Sequence, residues 1–259
     1  MIILDLAGRR LQSFTPTIEG TFSQRPEPCA SILSISWLSD SSIGVECHIN
    51  PSLSAFMEID LRTGKHLRDL AGFGFTPSPD RKWIAHVAPM MHFAPPYAKS
   101  YYLQLNQLTV YPLPGNAKPM RNPGFERPLD VVQKDGKIYR NIHGFGPRFA
   151  WSPDSRRVAF ADCVFDWVIT GGPDPGGNPI GAERNRKCSI TVVAVSGLRT
   201  SIDLPKLPVE AIEDAQLSWL DATTLRIQTE RGEYRRRIPE PAPENGVRIG
   251  VDGAGKNLH

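Results

Sequence analysis

The side chains best suited to chemistry in this chain are six histidines and four cysteines. His48, His86, His92 and His143 would approach one another only if several loops folded together, and no H-E-x-x-H spacing supports a zinc site. His86 sits where Phe160 and Ile227 sit in related segments, which makes it a core residue rather than a metal ligand. No G-x-S-x-G elbow presents a nucleophilic serine. Asp162, Asp166 and Asp174 are the only candidates for a glycosidase-type carboxylate pair, and Asp174 lies in a Pro-Gly turn. The glycine-rich stretch 171–177 does not follow a strand and open a helix, so it is not a phosphate cradle. Neither a cofactor nor a metal is expected. The residues left for binding are His92, Tyr97, His143, Asp166, Trp167 and Arg184, with Met90, Met91 and Arg186 beside them. Aromatic rings next to arginine suit a recognition surface.

The cysteines are Cys29, Cys47, Cys163 and Cys188, an even number at wide spacing with no C-x-x-C. Cys163 and Cys188 close two apolar runs joined by a Gly/Pro-rich segment, so they can meet across a hairpin. Two disulfides, Cys29–Cys47 and Cys163–Cys188, and four buried thiols both fit this pattern.

The elements that must position these residues come from an internal repeat. It reads SWLSDSSIGVECHI at 36–49, FTPSPDRKWIAHVA at 75–88, AWSPDSRRVAFADC at 150–163 and SWLDATTLRIQTE at 218–230. Each copy is an apolar segment, a turn containing Asp40, Asp80, Asp154 or Asp221, and a second apolar run. Four and six residues past the aspartate stand Ile84/His86, Val158/Phe160 and Leu225/Ile227. The first copy is one residue shorter and gives Ile43/Val45. Residues two apart share one strand face, so these pairs belong to the core. A second hairpin follows each first one: Phe56–Leu61 with His66–Leu70, Tyr101–Leu105 with Leu108–Leu113, and Ser189–Val195 with Leu198–Leu204. The segment 131–139 adds an Asp135-Gly136 hairpin, and Ile2–Leu6 with Leu11–Phe14 adds one at the start.

The Trp/Phe-Ser-Pro-Asp-x-x-x-Ile/Val-Ala pattern resembles the TolB-like β-propeller repeats, relatives of the WD-type class. The resemblance covers about 200 residues; Pro79-Asp80 and Pro153-Asp154 match well, while Ser39-Asp40 and Leu220-Asp221 lack the proline. It implies an all-β propeller of four-stranded antiparallel blades, about five of them within a range of four to six. The N-terminal hairpin would join the C-terminal strands and close the ring. Residues 1–238 form this single domain, and 239–259 are a mostly flexible tail.

On that scaffold, two long connections, Pro89–Ala98 and Asp166–Lys187, converge with Asn141–Gly146 on one face, where binding groups collect. The expectation is a non-catalytic scaffold that recognises a protein or peptide through this face, as a monomer or weak dimer. The alternative is an enzyme, or a small-molecule or glycan binder, using the central channel or the same face. A net charge of +3, from 30 basic and 27 acidic residues, argues against nucleic acid as partner. No apolar run approaches the ~20 residues of a membrane span. The opening MIILDLAGRR lacks the charged start and apolar core of a signal peptide, which fits a cytosolic protein or a removed segment. The TolB-like resemblance and paired cysteines imply a periplasmic or secreted protein instead.

Overall fold

The computed structural model describes residues 2–4, 10–13, 15–18, 27–50, 53–89, 97–105, 125–129, 132–146, 149–175, 179–197, 199–204 and 207–239. His92, the run Leu108–Leu113 and residues 240–259 therefore lie outside the described residues.

The architecture is all-β and antiparallel throughout. β1 (Ile2–Leu4) and β2 (Arg10–Ser13) form a small sheet of their own, and β3 (Thr17–Ile18) pairs with β4 (Glu27–Pro28). A meander follows: β5 (Ile32–Trp37), β6 (Ser42–Asn50), β7 (Leu53–Asp60) and β8 (His66–Pro77), each paired with the next. The middle of the chain supplies β9 (Trp83–Pro89), β10 (Tyr97–Leu105), β11 (Phe125–Pro128), β12 (Gln133–Asp135) and β13 (Ile138–Phe145). Then come β14 (Ala150–Trp151), β15 (Arg157–Pro173), β16 (Pro179–Ala194) and β17 (Arg199–Ile202). One short helix, α1 (Val209–Glu213), precedes the last sheet of β18 (Gln216–Trp219), β19 (Thr224–Thr229) and β20 (Gly232–Arg237).

Three of the repeated hairpins form as their aspartate turn chemistry requires, while in the first copy Ser39 Oγ accepts the Ser41 N–H at 3.2 Å. Asp80 accepts hydrogen bonds from the Lys82 N–H at 3.0 Å and the Ser78 hydroxyl at 2.7 Å. Asp154 does the same with the Arg156 N–H and Ser152 Oγ. Asp221 takes the N–H groups of Thr223 and Thr224 at 2.7 and 2.8 Å. Those donors hold its carboxyl down at about 2. The residues placed four and six beyond these aspartates, with Ile43 and Val45 of the shorter copy, are all buried.

Successive hairpins pack through apolar faces. Val158 and Phe160 of β15 face a cluster with Ala85, Val87, Tyr101 and Leu103, while Ala159 and Ala161 face one with Leu225 and Ile227. A directed contact marks two of the junctions. The Trp151 indole donates to the Thr76 carbonyl at 2.8 Å, and the Trp219 indole donates to the equivalent Ala150 carbonyl at 2.9 Å. Arg157, 3% exposed, ties the last sheet down through the carbonyls of Ile238 and Ala222 and stacks on the Trp219 ring.

The expected propeller is not formed. The sheets are flat and open, and none closes or curls into a ring. Two features explain the difference. First, β8 pairs with β7 through Gly72 and then with β9 from Phe73 onward, so units join edge to edge in one continuous ladder. β10 bridges β9 and β13 in the same way. Second, the two ends of the array do not match. The outer face of the last sheet carries Gln216, Ser218, Arg226, Gln228 and Arg235, whereas β5 leaves Leu33, Ile35 and Trp37 more than half exposed. An apolar stripe gains nothing by packing on arginines. The β1–β2 hairpin pairs with no strand of the last sheet among the described residues, so it does not close a ring. The stretch Asp166–Lys187 is likewise not a loop: it is the outer half of the β15–β16 hairpin.

Candidate functional site

β15 and β16 run 17 and 16 residues, much longer than their neighbours. Their outer halves extend past β17, which pairs only with Ile190–Val193. Among the described residues, no strand pairs with the outer edge of β16 from Pro179 to Ser189. β13 covers the other side of β15 as far as Val168. With β12 paired to β13 at Ile138–Arg140, the result is a ribbon of four strands, β12, β13, β15 and β16, that leaves the packed array. Its base is clamped by a disulfide between the directly opposed Cys163 and Cys188, whose Cα atoms are 4.0 Å apart. Cys29 and Cys47 form the second disulfide.

Two bulges shape the ribbon. Asn141 in β13 and Asn185 in β16 both adopt left-handed backbone, with φ of 58°. Asparagine tolerates that conformation better than most residues. Both bulges fall at the level of Asp166, and a bulge re-aims the side chains around it. Asp166 consequently receives the Asn185 side-chain amide at 2.9 Å and the Arg140 guanidinium at 3.4 Å. Arg184 stands directly across from Asp166 and is exposed, its guanidinium reaching the Glu183 carbonyl. Trp167 lies on the opposite face, between Tyr139 and Glu183 in register. Its indole rests on Gly181, where an added Cβ would come within 2.4 Å of Nε1. Lys134 sits 5.2 Å from the Tyr139 ring.

Of the six residues singled out from sequence, the structure sets Asp166 and Arg184 side by side on one face of the ribbon and Trp167 on the other. Tyr97 opens β10, opposite Gly144, one residue from His143. His92 falls outside the described residues. His143 is not a surface group: it is fully buried beneath the ribbon. Its Nδ1 lies 2.6 Å from Asp162, which also accepts from Arg199 at 2.9 Å. Facing a carboxylate, Nδ1 carries the proton, and Nε2 is buried with no hydrogen-bond partner among the described residues. The grouping resembles half of a catalytic triad, but an imidazole with no exposed surface cannot meet a substrate. It serves as a buried polar anchor between β13, β15 and β17. His86 is also buried, stacked between Phe75 and Tyr102 at 4.9 Å from each. No group of three or more potential metal ligands occurs among the described residues.

Sequence reasoning passed over Arg140, Asn185 and Arg199, and it considered Asp162 as a catalytic carboxylate rather than as the buried partner of His143 and Arg199. The asparagines within otherwise extended segments were the available signal for the bulges. The Asp162–Arg199 contact left none, since the two are 37 residues apart.

The fold and site define a class, an open all-β array with a clamped, projecting ribbon. No protein-family model matches the chain, and no curated protein matches it. Among solved structures, it is similar to an uncharacterised protein of Listeria monocytogenes EGD-e at 12% identity and a TM-score of 0.43. The match covers 87% of this chain and 54% of that one, so the chain spans about half the length of its structural relative.

Proposed function

We propose that the chain is a non-catalytic recognition module that binds an acidic, extended segment of a protein partner along the outer edge of β16. The carrying observation is that edge itself, a strand margin from Pro179 to Ser189 with no partner strand among the described residues. An extended peptide adds to such an edge through main-chain hydrogen bonds, and side chains set the specificity. Exposed Arg184 and Lys187 favour carboxylates. The bulge at Asn185 and the same charges keep two copies of the edge from pairing with each other. The disulfide at the base supports a preorganised edge, which lowers the entropic cost of binding. Both disulfides fit an oxidising compartment, so the module belongs in the periplasm or outside the cell.

The test is to pan a random peptide display library against the folded protein. Acidic, extended sequences should be enriched, should lose binding to an Arg184→Glu/Lys187→Glu variant, and should slow amide exchange along residues 181–189. Enrichment without acidic bias, or binding indifferent to the charge reversal, defeats the reading. Four free thiols in protein isolated from its native compartment would defeat the assignment of compartment.

A further inference from the structure

A cleft of about 470 Å³ lies between β8, β9, β13 and the end of α1. Its volume falls within the range of small-molecule sites. Phe73, Phe145 and Phe149 supply aromatic walls, with Val87 between them. Gly146 lines it too, and only glycine fits there: a Cβ would come within 2.8 Å of the Glu213 carbonyl and 2.9 Å of the Ala161 Cβ. That close approach brings the end of α1, with Glu213 and Asp214, to the rim.

Among the described residues, carboxylates outnumber cations at this rim. Arg186 is shared by Glu183 and Glu213, one guanidinium between two carboxylates. Asp214 is exposed and has no ion pair among the described residues, and no described lining residue of the cleft except Glu213 and Asp214 is charged. Aromatic faces attract cations through their quadrupoles, and carboxylates at the mouth add to that attraction. We infer that this cleft is a binding site for a small organic cation, an alkylammonium or quaternary ammonium group held against the phenylalanine walls with Asp214 at its entrance. The site touches the ribbon through the Arg186–Glu213 ion pair, but a ligand in the cleft would not occupy the main-chain edge of β16.

The experiment titrates the folded protein with choline and with its uncharged isostere 3,3-dimethylbutan-1-ol, following amide resonances by NMR. Choline should shift Gly146 and Asp214 saturably, and the isostere should bind about fivefold more weakly, the equivalent of one cation–π contact. Asp214→Asn, at an exposed position, should weaken choline about fivefold without altering the melting temperature. Phe73→Leu, which keeps apolar bulk but loses the ring, should weaken choline more than the isostere. Asp166→Asn, on the ribbon, should change nothing in this titration. Equal binding of choline and isostere overturns the proposal, as does an Asp214→Asn variant that binds choline normally. Absence of saturable shifts up to about 50 mM, beyond ordinary millimolar affinity, overturns it as well.

Discussion

His86 shows how one side chain couples this core to pH. Burial, with the positive charge of Arg68 as a smaller cause, pushes its imidazole down to about 3 from an ordinary 6.5. Above pH 6.5 the folded and unfolded chains are both neutral at this site, and it has no effect on stability. Between 6.5 and 3 only the unfolded chain takes up the proton, so stability falls by about 1.4 kcal/mol per pH unit. Below 3 both forms are charged and the loss is complete. Urea unfolding at pH 7 and pH 4.5 should therefore show a decline about 2 kcal/mol larger in the parent than in His86→Phe. Asp162 makes a second prediction at this scale. Removing it strands His143 in the core and leaves Arg199 without its partner, so Asp162→Ala should cost about 3–5 kcal/mol. Arg199→Gln should cost less, since the Arg199 side chain is 38% exposed and leaves the His143–Asp162 bond in place. Chemical denaturation of the two variants gives the comparison.

At the scale of elements, the ribbon is the part that pattern reading missed. The repeat hairpins announced themselves because aspartate turns and period-two burial recur together, and Ile43/Val45, Ile84/His86, Val158/Phe160 and Leu225/Ile227 all lie in the core. The outer ribbon lacks that signature. Both faces of residues 180–187 are largely open, so selection for alternation is weak, and the segment IGAERNRK reads as a connection. What marked it was the cysteine spacing, which pointed to Cys163 and Cys188 meeting across a hairpin. Replacing both with alanine should lower stability by about 3 kcal/mol, the chain-entropy value for a separation of 25 residues. Hydrogen exchange should quicken first in residues 164–187, ahead of the β18–β20 sheet.

Over the whole molecule, the closed ring was the expectation that failed, and nothing local signals its failure. The same hairpin serves a ring or an open ladder. The outcome turned on the long strand β8, which changes partner at Phe73, and on the unlike faces of the two ends. The last sheet adheres mainly through the apolar cluster around Leu225 and Ile227, with Arg157 and Trp219 as its polar fastenings. Arg157→Met keeps the apolar stem but drops both carbonyl contacts, and should cost about 2–3 kcal/mol, read from the denaturation midpoint. A separate low-denaturant transition reported by Trp219 fluorescence would show this sheet detaching before the rest. At the opposite end, Ile35→Lys should shift stability by less than about 0.5 kcal/mol, because Ile35 is 52% exposed.

The tryptophan contacts give the array a direction, since each indole reaches back to the carbonyl of the unit before it. The interior junctions centred on the Phe160 and Ile227 clusters are mainly apolar, so a duplicated unit spliced between existing ones would find ready-made neighbours. The same unit appended after β20 would meet an arginine-studded wall. Gene duplication, natural or engineered, would therefore lengthen this array more readily at an interior junction than on the arginine-bearing face of the last sheet.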